Sequence, residues 1–167
     1  ATVFVDYDGD GILDSGEPST KTDINGAFTL TSTSATAQIV ATTDANTIDT
    51  STGQSLAGVI LKAPAGSKVV SPSSTLMQEG NLTATQVASV LGLTGVDLLN
   101  FNPFAAGADA ATALKVEKTA QQLMNTVKSI AAAGEGAGAT SSTSFASALE
   151  SVVDVIKTKV SSPGSVI

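Results

Sequence analysis

The chain has 167 residues, with 15 acidic and eight basic side chains for a net charge of −7, and it contains no Cys, His, Trp or Arg. Without Cys and His, the sequence excludes a thiolate nucleophile, an imidazole base and an ordinary zinc or copper site. The negative charge argues against nucleic acid and anionic membranes as partners. No apolar run reaches the roughly 18 residues that a membrane-spanning helix needs, so we expect no membrane insertion.

The first 70 residues predict a β structure. Four segments are rich in the β-branched and aromatic residues that favour strands; they are residues 1–5 (ATVFV), 26–31 (GAFTLT), 37–42 (AQIVAT) and 57–62 (AGVILK). Asn25 and Gly26 predict a two-residue hairpin turn of type I′, because both tolerate the positive φ that its central positions need. Residues 43–57 are polar and rich in turn formers, which predicts a surface loop.

The residues that follow carry the signals of two short helices. Ser71 and Pro72 predict the start of the first, which Gly80 ends. Thr83 is followed three positions later by Gln86, which has the form of a capping box, in which each side chain bonds the backbone of the other residue. This pair predicts the start of the second helix.

Two longer helices are predicted towards the C-terminus. Asp109 can cap the first, in which apolar residues recur at three- and four-residue steps until Gly134. Residues 134–144 (GEGAGATSSTS) predict a flexible connector. Apolar residues of one face then recur from Phe145 to Val160, and they predict a last helix that stops before Pro163.

We therefore expect an α+β fold, with a small antiparallel sheet or sandwich-like β part in residues 1–70 and a helical part in residues 71–160. A β unit of this size is marginal on its own because it buries too little surface. The helices are therefore expected to cover one face of the sheet and to complete a single domain over residues 1–167. The apolar stripes are too short to favour a heptad coiled coil instead.

The negative charge is concentrated in one loop. Residues 6–17 (DYDGDGILDSGE) hold five carboxylates and no basic residue, and the first base along the chain is Lys21. Calcium takes six to eight oxygen ligands, often from a loop that supplies them at positions 1, 3, 5, 7, 9 and 12. Counted from the first residue of this loop, these positions are Asp6, Asp8, Asp10, Ile12, Asp14 and Glu17.

The details of the loop fit the same ion. Ile12 stands where only a backbone carbonyl is needed, Gly11 where the loop turns sharply, and Glu17 where both carboxylate oxygens bind the metal. A solvated acidic turn would explain the charge but not this spacing. Magnesium is the weaker alternative, because it prefers fewer protein ligands and keeps more of its water.

The flanks of the loop differ from those of an EF-hand. A predicted strand precedes the loop and a hairpin follows it, so a bound ion would hold a connection between strands. The loop has no flanking pair of helices that could open when calcium binds. Asp23, near the hairpin turn, is a candidate for a further ligand. Asp44, Asn46 and Asp49 form a looser candidate group, which the polarity of a surface loop also explains.

The opening residues, ATVFVDYDGDGILDSGEPSTKTDINGAFTLT (1–31), resemble calcium-binding B-type repeats of bacterial surface adhesins, the Cna-B and SD-repeat kind. In those modules a strand leads into D-x-[DN]-x-DG-x-x-D-x-GE and then into TD-x-x-G-x-[FY].

Residues 61–107 are similar to a segment that accompanies such loops in very large bacterial adhesins, with a Pro-Leu-Thr-Thr-Leu-like stretch, a Leu-Gly-Leu helix and an Asp-Pro-Phe/Leu turn. The counterparts here are residues 72–76 (PSSTL), 91–93 (LGL) and 102–104 (NPF). A B-type repeat is all-β, whereas this chain devotes its second half to helices.

The resemblance implies an exported, multidomain, calcium-dependent surface protein, in which this chain is one module joined to neighbouring domains. We therefore expect an extracellular, bacterial cell-surface location and a structural or adhesive role in which calcium rigidifies the module. The alternative is a calcium-dependent module that binds a glycan or a peptide. One Tyr and no Trp give a sugar site little aromatic surface for stacking.

An enzyme is not expected. The paired carboxylates lie inside the acidic loop, where they would act as metal ligands, and no residue pair is marked as a nucleophile with its base. Asp97, Asp109 and Asp154 are interpreted as helix caps and solvated side chains rather than as catalytic groups.

Overall fold

The computed structural model describes residues 1–32 and 34–162. Within these residues the chain forms a four-stranded antiparallel sheet, in the spatial order β2-β1-β3-β4, and four helices that pack together and meet the sheet mainly where α1 lies against β4, so the predicted α+β fold is confirmed. The strands are β1 (Thr2–Asp6), β2 (Ser19–Lys21), β3 (Gln38–Thr42) and β4 (Ile60–Ala63). The helices are α1 (Pro72–Gly80), α2 (Ala84–Val90), α3 (Ala110–Gly136) and α4 (Ser141–Ser161).

Three strands, β1, β3 and β4, lie close to their predicted positions. β4 begins at Ile60, later than the sequence predicts. Gly58 adopts a positive φ of 77°, and the Val59 N–H donates to the Leu56 carbonyl at 3.2 Å. The residues before Ile60 therefore form a turn instead of the first part of the strand.

The strand predicted over residues 26–31 is wrong. Phe28 and Leu30 are half-buried against the apolar cluster on the sheet, so their alternation reflects side chains that cover the sheet and not a strand within it. The sequence does not predict β2, whose three residues pair antiparallel with β1 and complete the sheet. Its side chains, Ser19, Thr20 and Lys21, are polar, which explains why no apolar pattern indicated it.

A turn is present at Asn25 and Gly26, but it is not of type I′. Gly26 has a φ of 77°, whereas Asn25 has no positive φ. The Asp23 N–H donates to the Ala27 carbonyl at 2.9 Å, and the Gly26 N–H donates to the Asp23 carbonyl at 3.1 Å. This is the pattern of a three-residue loop that ends in a left-handed glycine. The Asp23 carboxylate stabilises it by accepting from the N–H groups of Asn25 and Ala27 at 2.8 and 2.9 Å.

The two short helices begin where the sequence predicts. Ser71 caps α1 in a capping box with Ser74, and Thr83 caps α2 in a capping box with Gln86. Side chains therefore satisfy N–H groups that would otherwise be unpaired in the first turn of each helix. α1 ends at Gly80, as predicted.

The two long helices are separated by a shorter connection than predicted. Asp109 caps α3 by accepting from the Thr112 N–H at 2.8 Å, which confirms the predicted start. α3 continues beyond Gly134, and α4 begins inside the segment 134–144. The flexible connector predicted over that segment is therefore wrong for most of its length.

Gly134 marks a close approach of α3 and α4. A Cβ atom at this position would lie 3.1 Å from Ser144 Oγ, which is tighter than an ordinary van der Waals contact. The residue therefore serves helix packing instead of ending the helix. The apolar face of α4 is buried through Phe145, Leu149 and Ile156, as its periodicity predicts, and Pro163 lies outside the described residues.

Two hydrophobic clusters form the core of the described residues. The larger lies among the helices, and its most buried members are Leu76, Val87, Leu93, Val127 and Ala148. The smaller lies on the sheet and contains Val3, Ile39, Ala41 and Ala63, covered by Phe28, Leu30 and Val70. Leu61 of β4 packs against both clusters. The helices and the sheet therefore share an apolar contact at β4.

α1 also closes the outer edge of β4 through hydrogen bonds. The Lys62 N–H donates to Thr75 Oγ1 at 2.9 Å, and the Lys62 carbonyl accepts from Ser74 Oγ at 2.8 Å. Both hydroxyl side chains are fully buried. An open strand edge offers unpaired N–H and C=O groups to other chains. These bonds therefore join the helices to the sheet and protect that edge.

Replacing Thr75 with Val should destabilise the protein, because the variant keeps the shape of the side chain but leaves the Lys62 N–H without its acceptor. The expected loss in the free energy of unfolding is about 1–3 kcal/mol, the usual cost of a buried donor without a partner. Thr126→Val is the control, since Thr126 is exposed on α3 and its hydroxyl donates to Gln122 of the same helix. Urea denaturation measures both variants, and an equal loss in the two would contradict the role assigned to Thr75.

Candidate metal site in the acidic loop

The acidic loop connects β1 to β2, its neighbour at one edge of the sheet. Asp6 is the last residue of β1 and only 1% of its surface is exposed, whereas Asp8, Asp10 and Asp14 are exposed. Glu17 is half-buried shortly before β2. The loop therefore has one buried carboxylate at its root and three open ones further along.

The carboxylate of Asp6 organises the loop. Its Oδ1 accepts from the Gly9 N–H at 2.6 Å, and its Oδ2 accepts from the Gly11 N–H at 2.8 Å and from Gln38 Nε2 at 2.7 Å. Gly9 and Gly11 have φ values of 86° and 79°, which glycine adopts without steric cost. Burial raises the pKa of Asp6, but the hydrogen bonds from Gln38, Gly9 and Gly11 outweigh it and hold this pKa below its ordinary value.

Three carboxylates of the loop come together. Asp6, Asp8 and Asp10 each offer one oxygen, and these oxygens lie within 4.8 Å of one another. Such a group could hold a metal ion, and a set of oxygen donors suits a hard cation better than zinc or copper. The three residues are positions 1, 3 and 5 of the predicted ligand loop.

The other two acidic ligands predicted from the sequence, Asp14 and Glu17, do not belong to this group of three. Glu17 accepts from the Tyr7 N–H through Oε1 at 2.7 Å and from the Asp14 N–H through Oε2 at 2.9 Å. Glu17 thereby ties the end of the loop to its beginning. Ile12 exposes 63% of its surface, so its side chain adds little packing at a position where the backbone carbonyl is the expected ligand.

The charge of the loop is not offset by residues of the loop itself. Desolvation, followed by repulsion from Asp10 and Asp8, raises the pKa of Asp14 above its ordinary value. Neighbouring like charges make ionisation costly in this way, and a nearby cation relieves that cost. The residues present therefore fit a metal ion both in donor type and in charge.

In the looser candidate group, the carboxylates of Asp44 and Asp49 accept hydrogen bonds from the protein itself. Asp44 accepts from the Asn46 N–H at 2.9 Å, and Asp49 accepts from Gln121 of α3 at 3.2 Å. Over residues 1–32 and 34–162, neither belongs to a group of three acidic residues placed to hold an ion. The same is true of Asp23, whose carboxylate stabilises the turn described above.

The three carboxylates interpreted as caps and solvated groups lie outside the acidic loop. Asp97 accepts from Asn100 Nδ2 at 2.8 Å and from the Leu99 N–H at 3.2 Å in a turn, and Asp109 caps α3. These hydrogen bonds hold the pKa of both carboxyls below the ordinary value, with the Asn100 side chain as the main cause at Asp97. Asp154 is exposed on α4.

A groove lies against the sheet, and no motif in the sequence predicts it. It encloses about 950 Å³ and is lined in part by Val3, Leu61 and three phenylalanines, Phe28, Phe101 and Phe104. These residues come from segments far apart in the chain, so no local pattern could reveal their convergence. Phe104 has 63% of its surface exposed, which leaves an aromatic ring open to a ligand.

The groove and the acidic loop use different faces of the sheet. Side chains alternate between the two faces along a strand, so Val3, which lines the groove, and Asp6, at the root of the loop, lie on opposite faces of β1. The pairing of Asp6 with Gln38 on β3 places both on the loop's face. A ligand in the groove would therefore not touch an ion held at Asp6.

Comparison of the chain with known protein families, with curated proteins and with solved structures finds no match in any of the three. The likeness to B-type repeats therefore remains a prediction based on the residues that carry it. In the part of the chain that the structure describes, no helix combines the length and apolar character needed to cross a membrane.

Asp6 and Asp8 should respond differently to loss of charge when a chelator removes metal ions. Asp6→Asn places an amide where a buried carboxylate accepts three hydrogen bonds, so at least one donor loses its partner and stability should fall by about 1–3 kcal/mol. Asp8→Asn relieves repulsion at an exposed position and should leave the Tm unchanged or raise it. Thermal unfolding in chelator measures both, and an equal fall in the two variants would show that Asp6 does not organise the loop.

Proposed function

We propose that the chain is a calcium-stabilised structural or adhesive module of a large bacterial cell-surface or secreted protein. The observation that carries the proposal is the convergence of Asp6, Asp8 and Asp10, whose oxygens lie within 4.8 Å of one another, in a loop with the full calcium spacing. Calcium is favoured over magnesium because the loop offers more protein oxygens than magnesium commonly takes. The extracellular location follows from the likeness of the loop to B-type repeats.

Calcium would act on the connection between β1 and β2. The full ligand set consists of Asp6, Asp8, Asp10, the carbonyl of Ile12, Asp14 and Glu17. Glu17 already contacts the backbone at both ends of the loop, so chelation by its two oxygens would hold those ends together. β2 has three residues and lies at the sheet edge. It pairs with a single strand, β1, so an ion that holds the connection would help to keep it in place.

The gain in stability follows from mass action. An ion that binds the folded chain and not the unfolded one adds about 2.7 kcal/mol at 100 times its dissociation constant. This is a large fraction of the roughly 5–15 kcal/mol that stabilises a typical domain. Extracellular calcium would therefore raise the free energy of unfolding of a domain whose sheet is only marginally stable without it.

The role is supporting and not catalytic in this proposal. Asp97 and Asp109 hold a turn and a helix start through their hydrogen bonds, and the carboxylates of the loop serve as metal ligands. A rigid module of this kind has the neighbouring domains of the same chain as its partners.

Calorimetry should detect one calcium-binding event, weaker binding of magnesium and no binding of zinc. Glu17→Gln should weaken calcium binding most sharply, on the order of tenfold or more, which corresponds to about 1.4 kcal/mol or more. The variant keeps the size of the ligand expected to bind through both oxygens but removes its charge. Glu150→Gln, an exposed position on α4, is the control for the change in net charge. Absence of calcium heat in the wild type, or a preference for zinc, would end the proposal.

The groove favours a second candidate function, a module that binds a peptide in a calcium-dependent way. Its walls carry phenylalanine and aliphatic side chains, which suit apolar side chains of a peptide better than a glycan. Because the groove and Asp6 use opposite faces of the sheet, calcium would support binding through the stability of the sheet and not as a bridging ligand. Peptide binding would then require calcium only to the extent that the stability of the sheet requires it.

Phe104→Ser should weaken binding of apolar peptides on a peptide array by on the order of tenfold, because a large aromatic contact in a binding site contributes more than about 1 kcal/mol. Ile130→Ser is the control, since Ile130 has 41% of its surface exposed on α3 and does not line the groove. The array is run with calcium and with chelator. No bound peptide, or an equal loss in both variants, would remove this candidate.

A further inference from the structure

An ion pair between Lys62 and Glu79 lies beside the acidic loop. Lys62 Nζ and Glu79 Oε1 are 2.7 Å apart, which joins β4 to α1. The end of the Lys62 side chain also lies against Gly11 of the loop, because its Cε and Nζ atoms would be 3.6 and 3.7 Å from a Cβ atom on that glycine. The sheet, the first helix and the loop therefore meet at one basic side chain.

The position of Lys62 is fixed by its surroundings. Its backbone N–H and carbonyl are bonded to Thr75 and Ser74 of α1. It pairs with Val40 of β3, which in turn pairs with Phe4 of β1. Phe4 and Asp6 share one face of β1, so the Lys62 side chain lies on the same face as the root of the loop. Only 21% of that side chain is exposed, so its ammonium has little freedom to turn away from the loop.

The contact with Gly11 places this charge at a sensitive part of the loop. The Gly11 N–H donates to Asp6 Oδ2 at 2.8 Å, and Asp6 belongs to the group of three converging carboxylates. Charges closer than about 10 Å interact with limited screening at ordinary salt concentrations. An unpaired ammonium here would repel a divalent cation and would compete with it for the same carboxylates.

We propose that Glu79 tunes the calcium affinity of the loop by neutralising Lys62, a role that rests on the proposed calcium binding. The pair as a whole adds no net charge beside the loop. Loss of Glu79 leaves a positive charge next to Gly11, and loss of Lys62 leaves a negative one. The two losses therefore change calcium affinity in opposite directions.

Four proteins test this role: the wild type, Glu79→Gln, Lys62→Met and the double variant, each titrated with calcium by calorimetry. Glu79→Gln should weaken calcium binding and Lys62→Met should strengthen it, each by about three- to tenfold for a unit charge at this range. The double variant should return close to the wild-type affinity. Glu150→Gln and Lys157→Met, both at exposed positions on α4, are the matched controls and should leave the affinity almost unchanged.

Thermal unfolding in chelator gives a second readout that needs no bound calcium. In Glu79→Gln the freed Lys62 can turn to the loop carboxylates and offset part of their repulsion, whereas Lys62→Met has no cation left there. Lys62→Met should therefore have the lower Tm of the two in chelator.

The outcomes separate this inference from the function it rests on. A wild type that shows no calcium heat removes the proposed function and this role together. A wild type that binds calcium, with both single variants shifted in the same direction or not at all, overturns the role of the pair and leaves the proposed function standing. A double variant that is no closer to the wild type than the single variants would overturn it in the same way.

Discussion

The arrangement of the acidic loop depends on the buried carboxylate of Asp6. It accepts hydrogen bonds from two loop glycines and from Gln38 of the neighbouring strand, so one side chain joins the turns of the loop to the sheet. The same bonds favour its charged form, which keeps a negative charge at the root of the loop. The loop therefore holds the carboxylates of Asp8 and Asp10 close to the negative charge of Asp6, which repels them. A cation bound among the three carboxylates would relieve this repulsion.

The sheet that carries Asp6 depends in turn on the helices. Its own apolar cluster is small, and β4 would have an open outer edge without the hydroxyls of Ser74 and Thr75. Leu61 connects the sheet to the larger core among the helices. Because Lys62 contacts both α1 and Gly11, a change in the loop has a direct path to the helical part. Loop, sheet and helices are therefore linked through β4.

Features set by neighbouring residues could be predicted from the sequence. The caps at Ser71, Thr83 and Asp109 need side chains only a turn away from the backbone they bond, and the convergence of three loop carboxylates follows from their spacing. Features set by distant contacts could not be predicted. β2 is polar and forms by pairing with β1, and Gly134 lies within α3 where α4 approaches it closely. The groove draws its walls from segments that no local pattern relates.

The most direct test of this linkage uses the single tyrosine. The chain has one Tyr and no Trp, and Tyr7 lies in the acidic loop with 47% of its surface exposed, so its fluorescence reports on the loop while far-ultraviolet circular dichroism reports mainly on the helices. Thermal unfolding is followed by both signals with calcium and with chelator. We predict that the two midpoints coincide in each condition and that both fall when calcium is removed. A fluorescence midpoint that falls in chelator while the helical midpoint stays unchanged would contradict the linkage of loop, sheet and helices. The ion would then stabilise only the loop.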